Sequence, residues 1–175
     1  MARNFDNNAA NYMSRASVNF GLNGATACSW AYWVKITATS ASSQRILAKE
    51  INGQNGWATI FSGLTPTDTV LTLELDNFTA NTYAYWSTTS GIGTGVWTRA
   101  LFTWARTSAA AATDAVIYIN GQSVAITQQT GTGYTNTFTL QENSSNLYYG
   151  LLPSSQPVVG CTSISLLQIT HSIFF

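Results

Sequence analysis

The sequence predicts an all-β protein, a two-sheet antiparallel jelly-roll β-sandwich. Short segments alternate apolar with polar residues, as half-buried strands do, and Gly and Asn separate them. Four Asn-Gly pairs begin at residues 23, 52, 55 and 120, and this dipeptide favours tight hairpin turns. Helix signals are nearly absent, because no segment sustains an apolar period of 3.6 residues. We expect residues 1–175 to form a single domain.

The longest predicted strand covers residues 28–36, where Trp30 and Tyr32 share one face and Trp33 and Lys35 share the other. We expect Trp33 and Trp97 to be core anchors of the two sheets. The alanine-rich segment 107–113 offers no apolar face larger than alanine and is predicted to be a loop. Further strands are predicted at 45–49, 57–61, 70–75, 82–86, 97–104, 116–119, 123–127, 137–140, 147–150 and 164–169.

One hairpin is especially well defined, around Asn120-Gly121. A two-residue turn places Ile119 opposite Gln122, and Ile117 opposite Val124. The face formed by residues 117, 119, 124 and 126 is then wholly aliphatic, which fixes the register of the two strands.

The charge content excludes several classes of partner. Only 8% of the residues are charged, against about 25% in ordinary proteins. Seven basic and seven acidic residues give zero net charge, so we expect no nucleic-acid partner. No long apolar run or basic amphipathic helix predicts a membrane partner. The first residues lack the apolar stretch of a signal peptide.

Two cysteines and one histidine limit the available chemistry. Cys28 and Cys161 are too few for a disulfide framework or a zinc site. We predict buried free thiols, with a single disulfide as the alternative if the protein matures outside a cell. His171 lies in an apolar strand and is predicted to be structural, so no Ser-His-Asp or Cys-His site is expected. The run 91–95 resembles a phosphate loop but lacks a lysine and a βαβ unit. No cofactor is predicted.

Eight segments, taken in order along the chain, form a recognisable series. They are Phe5-Asp6, Tyr12-Met13, Cys28–Lys35, Ile46–Lys49, Gly56-Trp57, Gly95–Trp104, Tyr118–Gly121 and Tyr149-Gly150. Together they resemble the laminin G-like branch of the concanavalin A-like superfamily. The resemblance covers nearly the whole chain, and it implies the sandwich fold without implying one activity. The last segment, 164–175, contains no acidic residue, unlike that of most family members, so no calcium-linked role is expected there.

A carboxylate pair is the nearest match to a catalytic motif. The superfamily that the chain resembles includes retaining glycosidases with a Glu-x-Asp-x-x-Glu strand, whose two glutamates act as nucleophile and acid. Glu74 and Asp76 match its start and share a face by alternation. Thr79 occupies the position of the acid and cannot protonate a leaving group, so we predict that the protein is not an enzyme. Ala80 departs from the similar legume-lectin metal motif, and no metal site is predicted.

Aromatic and apolar residues are the remaining candidates for binding. Tyr83 and Tyr85 share one face of the strand 82–86, and Trp86 adjoins them. Their rings could stack on a sugar, face a protein partner, or pack on the second sheet. The apolar end Ile173-Phe174-Phe175 is a candidate interface, with pairing against Phe5 in a last strand as the alternative.

The sequence leaves three functions from different classes. The first is a virion component, such as a bacteriophage capsid-decorating or tail-associated protein, whose partners are copies of itself and viral structural proteins. Sparse charge favours it, because interface cores are depleted in charged residues. The second is a lectin that binds glycans through Tyr83, Tyr85 or loop tryptophans. The third is a degenerate glycosidase centred on Glu74 and Asp76.

Overall fold

Two antiparallel β-sheets pack face to face around one core in the computed structural model of the chain. This architecture confirms the predicted jelly-roll sandwich. The structure describes residues 3–5, 12–16, 19–36, 40–49, 55–63, 69–77, 82–107, 112–130, 134–142, 144, 146–150 and 164–170.

The first sheet has six strands and includes the longest strand of the protein. In spatial order its strands are β1 (Arg3–Phe5), β13 (Ile164–Thr170), β3 (Ala27–Ile36), β8 (Trp97–Ala105), β9 (Ala115–Ile119) and β10 (Gln122–Ser123).

The second sheet has seven strands and contains most of the residues of the candidate site. In spatial order its strands are β11 (Ile126–Thr130), β7 (Thr82–Thr88), β6 (Val70–Asn77), β5 (Gly56–Gly63), β4 (Ser40–Ala48), β12 (Leu147–Gly150) and β2 (Tyr12–Arg15).

The core lies between the sheets and is rich in aromatic rings. Along β3 the side chains alternate, so that Trp30, Tyr32 and Val34 are buried while the residues between them are more exposed. Trp30 meets Trp57 of the opposite sheet with a ring-centroid distance of 5.2 Å. Tilted contacts of this kind add stability beyond the area that the rings bury.

The Asn120-Gly121 turn confirms the predicted hairpin. Asn120 has φ 52° and Gly121 has φ 88°, as the two central residues of a tight hairpin turn require. Gln122 pairs with Ile119, and the amide of Val124 donates to the carbonyl of Ile117 at 3.0 Å. The chain then crosses between the sheets, because β10 belongs to the first sheet and β11 to the second.

Four predictions about the strands are corrected by the structure. Trp33 is not a core anchor, since it faces outward from β3 and is 37% exposed. Trp97 is half-buried on the same outer face. The segment 137–140 forms no strand; Phe138 and Leu140 are nevertheless buried and help to close the core. The predicted strand 123–127 is split where the chain crosses between the sheets.

Helical structure is confined to one short turn in the part of the chain that the structure describes. This 3-10 turn covers Ala112–Asp114, at the end of the alanine-rich segment. Among the same described residues, no helix is long and apolar enough to cross a membrane.

Candidate functional site

The outer face of the seven-stranded sheet carries a cluster of aromatic and charged side chains, which we call the tyrosine face. It consists of Tyr83 and Tyr85 from β7, Glu74 and Asp76 from β6, and Arg45 from β4. Alternation explains how the two neighbouring strands contribute to one surface. In their register, Tyr83 lies opposite Asp76 and Tyr85 lies opposite Glu74, so all four side chains leave the sheet on the same side.

The two tyrosines form an aromatic pair at the centre of this face. Their ring centroids are 5.2 Å apart with an interplanar angle of 56°, and both side chains are half-buried. Tyr83 and Tyr85 therefore keep part of each ring accessible while the pair fixes their orientation. The prediction that these two rings share one face is confirmed.

Trp86 does not belong to the tyrosine face. It lies on the opposite face of β7, is fully buried and packs edge-on against Tyr134 with a centroid distance of 5.5 Å. Residues that are consecutive along a strand point to opposite sides, so Trp86 cannot share a surface with Tyr85. Its prediction as a binding residue is wrong.

Glu74 and Asp76 lie beneath the surface of the tyrosine face. Their relative exposures are 6% and 1%. The guanidinium Nη2 of Arg45 lies 3.6 Å from Oε2 of Glu74. Because β5 separates β4 from β6, this ion pair spans the middle strand, where Ala58 lies opposite Glu74 and leaves room for it.

A third tyrosine, Tyr148, extends the same side of the sheet. Tyr148 of β12 lies opposite Ala48 and packs against a small apolar cluster formed by Ala48, Ala58 and Ile60. Neither Arg45 nor Tyr148 was predicted from the sequence. The register across four strands brings them to this face, and strand alternation alone does not specify that register.

A chain of buried hydrogen bonds connects three residues of the core. The indole N–H of Trp104 donates to the hydroxyl of Tyr134 at 3.0 Å, and that hydroxyl donates to Asp114 at 2.7 Å. Burial, followed by the nearby Asp114, raises the pKa of Tyr134 well above its ordinary value, although the hydrogen bond from Trp104 acts in the opposite direction. This chain of hydrogen bonds belongs to the core.

The carboxylate of Glu142 is hydrogen-bonded to the segment that precedes β3. Glu142 accepts hydrogen bonds from the amides of Phe20 and Leu22, each at 3.1 Å. Cys28 nearby is buried and free, and the pKa of its thiol is raised by burial first and by the charge of Glu142 second.

Some predicted residues lie outside the described part of the chain. These are Ile173, Phe174, Phe175, His171, Cys161, Thr79 and Ala80. Among the residues that are described, no group of three or more His, Cys, Asp or Glu side chains could hold a metal ion.

The sequence matches the model of one protein family, and the fold is similar to that of several solved structures. The laminin G-type family model of the concanavalin A-like lectin/glucanases superfamily matches residues 7–160. No curated protein matches the chain in sequence. The binding domain of botulinum neurotoxin serotype C1 superimposes with a TM-score of 0.53 at 13% identity, covering 81% of this chain and 31% of that one. This chain thus spans less than a third of the neurotoxin domain, and the likeness concerns the fold alone.

Two further solved structures are more distant. The native heptameric SAP-like pentraxin from Limulus polyphemus gives a TM-score of 0.48 at 12% identity, covering 90% of this chain and 73% of that one. The alginate lyase Aly36B gives a TM-score of 0.36 at 11% identity, covering 82% and 70% respectively.

Proposed function

The chain belongs to the concanavalin A-like lectin/glucanase superfamily, and we propose that it is a non-catalytic binding module that takes a carbohydrate on its tyrosine face. The observation that carries this proposal is the half-buried Tyr83–Tyr85 pair beside the Arg45–Glu74 ion pair. Tyrosine offers an apolar ring and a polar hydroxyl together. A sugar needs both, because its ring has apolar patches edged by hydroxyl groups.

The polar groups of the face complement the hydroxyls of such a ligand. The side chain of Arg45 is 24% exposed, and a guanidinium presents several N–H donors in a fixed plane. The Thr72 and Ser87 hydroxyls hydrogen-bond each other at 2.8 Å on the same outer side of β6 and β7. A small number of well-placed polar groups beside aromatic rings is typical of sites that bind small ligands.

Burial of the carboxylates supports a binding role without hydrolysis. A glycosidase needs two carboxyl groups that reach the scissile bond from the surface. Asp76 is 1% exposed, and Glu74 is 6% exposed and ion-paired to Arg45. Both carboxyl groups are therefore withdrawn from a ligand, whereas the half-buried tyrosines opposite them on β7 keep part of their surface exposed to a sugar.

A glycan array followed by calorimetry tests the proposal. We expect the protein to bind at least one oligosaccharide, and we expect Tyr83→Ala and Tyr85→Ala each to weaken that binding by about tenfold or more. Tyr118→Ala is the matched control, because Tyr118 is a half-buried tyrosine on the other sheet. The absence of glycan binding, or an equal loss in Tyr118→Ala, would overturn the proposal. Release of reducing ends from the bound glycan would overturn its non-catalytic part.

A second candidate function, a structural component of a virion, is favoured by composition. The 8% charged content and 13% aromatic content suit a surface that neighbouring copies cover. Sedimentation velocity over a concentration series tests it: we expect reversible self-association at micromolar concentration. A monomer at all concentrations, with no affinity for any particle, would count against it.

A further inference from the structure

Charged residues are divided unequally between the two sheets. The strands of the six-stranded sheet contain Arg3, Lys35 and Arg99 and no acidic residue. The acidic strand residues, Glu74 and Asp76, both belong to the seven-stranded sheet. The six-stranded sheet is therefore the cationic side of a protein whose net charge is zero.

Two of these cations alternate with two tryptophans on the outer face. In the register of β3 with β8, Trp33 lies opposite Arg99 and Lys35 lies opposite Trp97. Directly opposed side chains are about 5 Å apart, and neighbours on one face of a strand are about 7 Å apart. The four residues form a small checkerboard, which we call the cation–indole patch.

The patch is open to solvent. Trp33 is 37% exposed, Arg99 is exposed, and Lys35 and Trp97 are half-buried. Among the residues that the structure describes, the ion pair found is Arg45–Glu74 on the other sheet. The charges of Lys35 and Arg99 are thus available to a partner from outside the chain.

The backbone beneath the patch is held in place. The amide of Arg99 donates to Oδ1 of Asn120 at 2.9 Å, and the carbonyl of Arg99 accepts from the amide of Asn120 at 2.9 Å. These two bonds tie β8 to the rigid Asn120-Gly121 turn. A preorganised surface loses less entropy when it binds.

From this geometry we propose that the cation–indole patch is a second binding site, for an anionic polysaccharide. Each indole offers a flat apolar surface on which a sugar ring can stack. Each adjacent cation can pair with a carboxylate or sulfate group of the same chain. A polymer of charged sugars repeats these two features together, as the checkerboard does.

Charge complementarity favours this occupant over the other polyanions. Nucleic acids are bound mainly by neutralising many phosphates, and the patch supplies two cations. A lipid surface needs a broader apolar or polybasic area. The proposed site lies on the other sheet from the tyrosine face. Evidence against binding at one site therefore leaves the proposal for the other site intact.

Calorimetry with a matched pair of polymers tests the second site. Polygalacturonate carries one carboxylate per sugar, and its fully methyl-esterified form has the same backbone without the charge. We expect the wild-type protein to bind polygalacturonate, to bind the ester at least tenfold more weakly, and to lose affinity as salt is raised. Trp33→Ala and the double variant Lys35→Gln/Arg99→Gln should each weaken binding by about tenfold or more. Surface changes of this kind leave the fold intact, which melting curves verify.

Arg15→Gln is the control variant, because Arg15 is an exposed cation on the seven-stranded sheet, and it should bind polygalacturonate like the wild type. Equal binding of the two polymers would overturn the proposal, because the cations would then have no role. Loss of binding in Tyr83→Ala alone would place the polymer on the tyrosine face and overturn it as well. Tighter binding of a single-stranded DNA of equal charge would assign the patch to nucleic acid. A change of oligomeric state in Trp33→Ala, without loss of polymer binding, would assign it to a contact between copies.

Discussion

Tryptophans of this protein differ in role according to the face of the strand that they occupy. Trp104 is 1% exposed and donates its indole N–H to Tyr134 in the core. Trp33, by contrast, is 37% exposed on the outer face of the same sheet. Residue type alone therefore does not set the energetic contribution of an aromatic side chain.

The first prediction compares these two tryptophans. Trp104→Ala should lower the free energy of unfolding by about 3–5 kcal/mol, because it leaves a large cavity and removes a buried hydrogen bond. Trp33→Ala should lower it by only about 1–2 kcal/mol, because the ring is already 37% exposed on the outer face and its removal leaves no closed cavity. Urea denaturation monitored by circular dichroism measures both values. Equal losses in the two variants would contradict the assignment of the two faces.

The second prediction concerns Cys28, whose thiol pKa is raised above its ordinary value of 9.0 by burial and by Glu142. Above about pH 9 the thiol ionises in the unfolded chain but stays neutral in the folded chain, so the folded state loses stability as pH rises. In a Cys161→Ser background, urea denaturation at pH 8 and pH 10 should show a larger loss with Cys28 than with Cys28→Ala. Equal losses in the two proteins would contradict the raised pKa.

At this scale, the sequence predicts which residues share a face but not which face is inward. Both sides of β3 are aromatic, since Trp30 and Tyr32 alternate with Trp33. The position of the second sheet decides which side is buried, and strand alternation contains no information about it. For this reason Trp33 and Trp97 were wrongly assigned to the core, whereas the shared face of Tyr83 and Tyr85 was predicted correctly.

Among the elements, the segment before β3 depends on one carboxylate for its backbone hydrogen bonds. Glu142 accepts from the amides of Phe20 and Leu22, and its own amide donates to Asn23 Oδ1 at 2.7 Å. A hydrogen bond to a charged acceptor of this kind is stronger than one to a neutral acceptor. Glu142 thus joins two segments that are more than a hundred residues apart.

The third prediction tests this connection with Glu142→Gln. Both amides donate to the same oxygen, Oε2, and Phe20 also donates to Oε1 at 3.4 Å. The glutamine oxygen can take the place of Oε2, but it is a neutral and therefore weaker acceptor, and its NH2 group replaces Oε1. We expect the free energy of unfolding to fall by about 1.5–3 kcal/mol. Gln141→Ala is the neighbouring control and should cost less than about 1 kcal/mol. An unchanged stability in Glu142→Gln would contradict a contribution of the carboxylate charge to these hydrogen bonds.

The hairpin was predictable in detail and the crossing that follows it was not. Asn120-Gly121 specifies its turn through local backbone preferences, and Ile117, Ile119 and Val124 pack against the core as their predicted shared face requires. The predicted face also included Ile126, which instead begins β11 on the other sheet, and no local signal marks the passage from β10 to β11. Long-range pairing of β11 with β7 decides it.

For the whole molecule, the two outer faces have different chemistry. The seven-stranded sheet presents the Tyr83–Tyr85 pair beside two buried carboxylates on the neighbouring strand. The six-stranded sheet presents tryptophans beside cations that have no acidic strand neighbour. The sandwich therefore offers two separate surfaces, and substitutions on one should leave binding at the other unchanged, since distant sites behave additively.

The fold class was predictable from the whole chain, whereas the site was predictable only in part. Alternation, turn residues and the absence of helix signals all pointed to a sandwich. Arg45 joins the site only through the pairing of β4, β5 and β6, and Trp86 leaves it because it points inward. Such facts depend on contacts between distant segments, which residue patterns within a strand do not specify.

Chemical-shift mapping by NMR tests carbohydrate binding on the tyrosine face most directly. The ¹⁵N-labelled protein is titrated with the oligosaccharide that binds best on the array. We predict that the largest amide shifts fall within β6 and β7, around Glu74, Asp76, Tyr83 and Tyr85, and that Tyr83→Ala abolishes them. Shifts confined to the loops at the ends of the sandwich, or to the six-stranded sheet, would contradict the account.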